Sequence, residues 1–156
     1  FVLNAGIAGS LPGSGLKLLE VVAGRRAAFA DEGVESPTGF TPMSRCGFPP
    51  GAPENGDGVP ADAALVLACK ARVIDAIATV STCSGTDRLA REVAARTGAG
   101  AEAMEGGAVG LAAWRAGVPF AELRVISNTT GDRAGQVWDL AGALRELGAW
   151  FERAAR

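Results

Sequence analysis

Short apolar segments that end in glycine or small polar residues alternate along this chain with segments of helical period, and that alternation restricts its fold more than any other feature. Residues 120–127 are the cleanest strand, apolar almost throughout and closed by Asn128. Residues 1–4, 18–23, 76–82 and 101–104 read as further strands, the first stopped by the glycines of Gly6-Ile7-Ala8-Gly9. Helices are expected over residues 61–71, 87–96 and 105–116, with a last one after the turn at Gly131-Asp132-Arg133. Thr86 is placed to cap the helix at 87–96, where Asp87 complements the N-terminal dipole and Leu89 and Val93 share a face. In the last helix Leu140, Leu144, Leu147 and Phe151 form one apolar stripe. Strands alternating with helices in this way imply an α/β fold of three layers, α/β/α, around a central mixed sheet.

Residues 24–60 interrupt the alternation. Their Pro, Gly, Ser and acidic content, with Ser36-Pro37-Thr38-Gly39 and Pro49-Pro50-Gly51-Ala52-Pro53, reads as one long loop. A chain of 156 residues suits a single domain spanning 1–156. It opens on Phe1 and an apolar segment that runs straight into glycines, so the expectation is a partial domain whose N-terminal part is missing.

The sequence contains no histidine, which excludes every mechanism built on an imidazole base. Cys46, Cys69 and Cys83 have no CxxC spacing and leave one unpaired, which argues against a zinc site and a disulfide framework and for a reducing, cytoplasmic setting. No metal and no cofactor are expected. A net charge of −2 without a Lys/Arg cluster argues against a nucleic-acid partner. No apolar run approaches the ~20 residues of a membrane span. With 48% hydrophobic and 21% charged residues the chain has the balance of a soluble globular protein. Any catalysis must rest on carboxylates, amides, hydroxyls and backbone donors.

Ligands of open α/β sheets collect beyond the carboxyl ends of strands, which directs attention to residues 4–10, 81–86 and 127–130 and to the junction Met104-Glu105-Gly106-Gly107. Glu105 is either a first-turn acid favoured by the helix dipole or a carboxylate held at the sheet edge, beside two glycines that admit a ligand. Glu102 lies three residues earlier, and strand alternation makes it hard for both to face one site. Taken alone, Asn128 is a turn residue bonding its own backbone, and Asp132-Arg133 is an exposed turn pair. Cys83 lacks a base to activate it, and Trp114, Trp138 and Trp150 have packing as their default role. Gly6 and Gly9 do not have the spacing of a dinucleotide or phosphate-binding loop.

Three clusters in order change these odds: Asn-Ala-Gly-Ile-Ala-Gly-Ser at 4–10, Ala-Met-Glu-Gly-Gly-Ala-Val at 103–109, and Val-Pro-Phe-Ala-Glu-Leu-Arg-Val-Ile-Ser-Asn at 118–128. The chain thereby resembles the nucleoside phosphorylase and nucleosidase superfamily over essentially its whole length. Within it the likeness is greatest to the futalosine-hydrolysing enzymes, which release hypoxanthine from futalosine in menaquinone biosynthesis. Glu35-Ser36-Pro37-Thr38-Gly39-Phe40 with Gly47-Phe48, Thr79-Val80-Ser81-Thr82, and Asn128 through Gly131-Asp132-Arg133 to Trp138 support that likeness.

The resemblance implies that Met104 lies under a ribose whose 2′- and 3′-hydroxyls are held by Glu105. It implies that Ser81, Thr82 and Ser84 line the purine, that Asn128 meets the base edge, and that Gly6 and Ile7 border the substrate. Superfamily members also carry a Glu near their first strand that activates the attacking water, and no segment of this chain matches it. Phosphorylases of the superfamily hold phosphate with an Arg and a Ser or Thr at positions that are Asn4 and Ile7 here, which favours water as the nucleophile. An adenine-releasing nucleosidase for methylthioadenosine or adenosylhomocysteine is the alternative among enzymes, and a non-catalytic nucleoside-binding module is the alternative outside them. The resemblance further implies a homo-oligomer. Arg45 is a candidate for the benzoate end of futalosine, and the first strand is expected at an exposed sheet edge or without a neighbour.

Overall fold

A computed structural model of the chain describes residues 1–51 and 56–156. In order the elements are β1 (Val2–Ser10), β2 (Val21–Gly24), β3 (Arg26–Phe29), β4 (Gly33–Ser36), β5 (Gly39–Pro42), β6 (Gly58–Pro60), α1 (Ala63–Ala68), β7 (Arg72–Ile74), β8 (Ile77–Thr79), α2 (Asp87–Thr97), β9 (Ala101–Ala103), α3 (Gly106–Arg115), β10 (Phe120–Thr129) and α4 (Leu140–Ala154). Eight strands form one sheet in the order β6-β3-β8-β9-β1-β10-β2-β7, and β4 and β5 form a separate hairpin. The large sheet contains both parallel and antiparallel pairs and is therefore mixed. The α/β class follows as expected.

Strand alternation sorts the helices to the two faces. On β3, Ala27 packs with Ala113 and Val109 of α3, whereas Ala28 packs with Ala90 and Val93 of α2. On β10, Ala121 and Leu123 join Val66 of α1 and Trp150 of α4, while Glu122 and Arg124 turn to the opposite face. Thr86 caps α2 by accepting from the Leu89 amide, as its position predicts. Among the described residues no helix is long and apolar enough to cross a membrane.

Several local expectations are corrected. The glycines at 6 and 9 do not stop the first strand; β1 runs through them to Ser10, paired with β10 along its whole length. The sheet ladder supplies what the sequence lacks in strand propensity, and the missing side chains leave room for neighbours. β1 is also interior, with β9 on its other side, though that second ladder involves just Gly9 and Ser10. Residues 24–60 are not one long loop: they contain β3, the β4–β5 hairpin and β6, with Ala52 and Pro53 of the proline-rich run lying outside the described residues. These strands are only three or four residues long, too short for a local periodicity to mark them.

The apolar stripe of the last helix is not its buried face. Leu140, Leu144 and Phe151 are exposed, whereas Gly142, Ala143 and Trp150 are buried. Two small residues let the helix approach the sheet, and the Trp150 indole N–H donates to the Cys69 carbonyl at 2.8 Å, which sets the rotation.

Candidate functional site

A cavity of about 590 Å³ opens where β1, the end of β9 and β10 meet the segments at 83–85 and 133–138. Its floor is residues 4–9 of β1. Gly6 and Gly9 matter here for space: a Cβ at 6 would run into the Arg124 guanidinium, and one at 9 would meet the Asn128 amide at 3.0 Å. The glycines thus allow polar side chains from β10 to lie across β1. A register shift between Ala8 and Gly9 inserts one extra residue into β10, and both Ser127 and Asn128 line the cavity.

Glu105 stands at the N-cap of α3 but makes no capping bond with its side chain. The carboxylate turns instead to a cation. It receives Arg124 Nη2 at 2.9 Å and remains half-exposed in the cavity wall. The start of α3 is satisfied differently, by the Gly107 amide donating to Thr79 Oγ1 at 2.7 Å. Met104 lies beside Glu105 in the same wall, with Cys83 Sγ 3.7 Å from its sulfur. Burial pushes the Cys83 thiol up, with the nearby Glu102 adding to it, so the thiol is no ready nucleophile.

Arg124 is nearly buried and holds a second carboxylate: its Nε and Nη2 each lie 2.9 Å from Glu122 Oε1. Desolvation raises the Glu122 carboxyl to about 7, against the lowering effect of Arg124. Asn4 Nδ2 donates to the same oxygen at 3.4 Å, so the Asn4 amide is engaged and not free for an anion.

On the other side of the cavity, Glu102 accepts from the Ser84 amide at 2.8 Å and from Ser84 Oγ at 2.5 Å. Burial raises its carboxyl, and the Ser84 hydrogen bonds oppose that rise. Ser84 in turn accepts at its carbonyl from Gln136 Nε2, whose side-chain oxygen receives the Trp138 indole N–H at 3.0 Å. The Arg133 guanidinium lies 5.2 Å from the Trp138 ring centre. This chain of contacts, from Glu102 to Trp138, builds the wall that closes on Asn128, which forms a β-bridge with Trp138.

Asn128 is oriented by Ser127 Oγ, which donates to Oδ1 at 2.8 Å, and by its own Nδ2 donation to the Thr129 carbonyl at 3.0 Å. One amide N–H is left for a ligand acceptor.

The structure thus brings Gly6, Ile7, Ser84, Met104, Glu105 and Asn128 together in one cavity wall. It does not bring Ser81 and Thr82 there. The amides of both donate to Asp31, and Thr82 lines a separate depression between β5 and α2. Arg45, in the turn after β5, is also outside the cavity. Cys83, Ser84 and Gly85 line the cavity, while the two residues before them are turned to Asp31. Sequence reasoning missed Glu102, Arg124, Arg133, Gln136 and Trp138. Strand alternation argues against Glu102, but β9 ends at Ala103 and the turn into α3 lets both carboxylates face one cavity. Arg124, alternating with Glu122 inside an apolar strand, was a legible signal of a buried ion pair.

A family model described as the phosphorylase superfamily matches residues 2–156. The futalosine hydrolase of Acidothermus cellulolyticus is 42% identical over 149 residues, covering 94% of this chain and 60% of that protein. The futalosine hydrolase of Streptomyces coelicolor is 38% identical over 147 residues, covering 94% of this chain and 61% of that protein. This chain therefore spans about three-fifths of the length of the curated relatives it matches. Among solved structures, the 5′-methylthioadenosine/S-adenosylhomocysteine nucleosidase of Neisseria meningitidis, in complex with methylthio-immucillin-A, superposes with a TM-score of 0.76. It is 20% identical, with 99% of this chain and 68% of that one covered, a likeness of fold.

Proposed function

This chain belongs to the phosphorylase superfamily, and from that premise we propose that it supplies the ribose- and purine-binding groups of a nucleosidase that hydrolyses the N-glycosidic bond of futalosine and releases hypoxanthine. The observation that carries this reading is the convergence of the adjacent Met104 and Glu105 with the sequence-distant Asn128 on one cavity. The identity to two futalosine hydrolases supports the choice of substrate. On this reading the protein works in the cytoplasm, in menaquinone biosynthesis, as a homo-oligomer whose contacts include the exposed Leu140, Leu144 and Phe151 of α4.

Cleavage of an N-glycosidic bond builds positive charge on the sugar. A carboxylate gripping the ribose hydroxyls stabilises that charge more as it grows, so Glu105 lowers the barrier and does more than add affinity. Asn128, locked by Ser127, gives its free N–H to an acceptor on the base edge. A 6-oxopurine presents acceptors at N7 and O6, and an amide donor suits that edge better than a carboxylate does. Phosphate finds no free cation in the β1 segment: Asn4 is tied to Glu122, Ile7 is apolar, and Arg124 is engaged by two carboxylates. Water is accordingly the nucleophile. Its activation is assigned to neither carboxylate of the cavity wall, since Glu102 is held by Ser84 and Glu105 serves the ribose.

The test is to incubate the natural full-length protein with futalosine and follow hypoxanthine by chromatography. Hypoxanthine release at enzymatic rates is expected. Release of adenine from methylthioadenosine with futalosine untouched would overturn the substrate assignment, and tight nucleoside binding without turnover of either would make the protein a binding module.

A further inference from the structure

Glu122 has no exposed surface and lies beneath the cavity without lining it. We propose that Glu122 is a positioning residue that, through Arg124, fixes both the place and the charge of Glu105; what Glu105 binds rests on the nucleosidase reading, whereas the coupling of the two carboxylates does not.

The geometry is specific. Oε1 of Glu122 takes Arg124 Nε and Nη2 at 2.9 Å and the Asn4 amide at 3.4 Å. The same Nη2 reaches Glu105 Oε2 at 2.9 Å, so one nitrogen joins the two carboxylates. Oε2 of Glu122 has no hydrogen-bond partner and is pressed against Gly106, where a Cβ would overlap it. A buried carboxylate with one oxygen committed and one bare is not what stability alone would select. The charged groups that face it are Arg124 on its own strand and Glu105 at the head of α3; from β1 it meets the neutral Asn4 amide, and Gly24 pairs with it from β2.

Glu105, Arg124 and Glu122 carry a net charge of −1 when both carboxylates are ionised and zero when Glu122 holds a proton. Ionised, Glu122 takes up much of the Arg124 charge and leaves Glu105 a strong acceptor. Neutral, it leaves the guanidinium to Glu105 alone and weakens its hold on a growing sugar cation. Desolvation brings this change to about pH 7.

Two measurements on the full-length protein decide the matter. In wild type, kcat for futalosine should rise through about pH 7. Glu122→Gln should remove that inflection and hold kcat near the wild type's low-pH value, roughly tenfold down at pH 8, with KM changed far less. An unaltered pH profile in a folded Glu122→Gln variant overturns the proposal. The second measurement needs neither turnover nor that variant. In ¹³C-carboxyl spectra of wild type, one buried glutamate should titrate near neutrality and displace the Glu105 signal as it does so, and Arg124→Met should uncouple the two. Absence of a titration near neutrality, or a Glu105 signal indifferent to it, overturns the proposal. A wild type inactive on futalosine would sink the substrate reading, and the spectra would still decide the coupling.

Discussion

Replacing Arg124 by Met tests the buried pair directly, because it removes the charge and keeps much of the stem. Glu122 would then be a carboxylate with no cation, fully buried, facing Gly106 and the Asn4 amide. Removing one partner of a buried pair costs about 3–5 kcal/mol when the other must stay charged. Glu122 has an escape, which is to take up a proton. Its carboxyl already stands near 7 because burial outweighs Arg124, and without Arg124 it rises further. A carboxyl raised on folding gives stability that is complete below its unfolded value and is lost as pH rises through the folded one. Both proteins therefore hold Glu122 neutral at pH 5, and their difference there is the lost neutral hydrogen bonds and stem packing, about 1 kcal/mol. Above pH 7 wild type reaches its plateau while the variant goes on losing stability, by about 1.4 kcal/mol for each unit of further rise. The expected cost of Arg124→Met is thus about 1 kcal/mol at pH 5 and up to about 2.4 kcal/mol at pH 8. The half-exposed pair with Glu105 adds little at either pH. Urea unfolding of wild type, Arg124→Met, Glu122→Gln and the double variant at both pH values reads this out. In the Gln background the substitution should cost the same at pH 5 and pH 8. A pH-independent loss in the single variant, or an equal pH-dependent loss in the double, would refute the reasoning.

Glu105→Gln in the full-length protein should lower kcat by two to three orders of magnitude, the scale expected for one group acting on developing charge, with an unchanged melting temperature; an unchanged kcat would return Glu105 to the role of a helix-terminal charge. Asn128→Asp should weaken the preference for 6-oxopurine over 6-aminopurine nucleosides by up to about a hundredfold in kcat/KM, one or two unpaired polar contacts at roughly 1–3 kcal/mol each. A wild type that prefers the adenine nucleoside would contradict the role given to Asn128. Gly106→Ala should destabilise the protein by about 1–3 kcal/mol, since its methyl would enter the space of the Glu122 carboxyl, and thermal melts of the pair Gly106→Ala and Gly148→Ala, the latter with open space around it, give the comparison.

The parts of this protein that were legible in its sequence are those whose causes lie within a turn or two of chain. Thr86 caps α2 because its hydroxyl needs only the amide three residues on. The strand at 120–129 is recognisable because only Glu122 and Arg124 interrupt its apolar residues before Ser127, and Glu105 and Asn128 could be singled out because their motifs are local. What escaped the sequence depends on pairings across long separations. Whether Ser81 or Ser84 faces the ligand turns on the path of one loop over Asp31, fifty residues earlier. Within residues 24–60, β3 and β6 exist because β3 lies between β8 and β6 in the large sheet. The Asn4–Glu122 contact spans 118 residues of sequence, and only the register of β1 against β10 places Gly6 beside Arg124 and Gly9 beside Asn128. In a strand each residue's local preference is nearly the same in every register, and a slip of one residue would send Glu122 to the α4 face and Leu123 into the site. Burial of the apolar set on one side selects the register, and the charged set on the other side is carried with it. That is why Glu105 could be named from the sequence, while its link through Arg124 to Glu122 was decided only once the sheet was assembled.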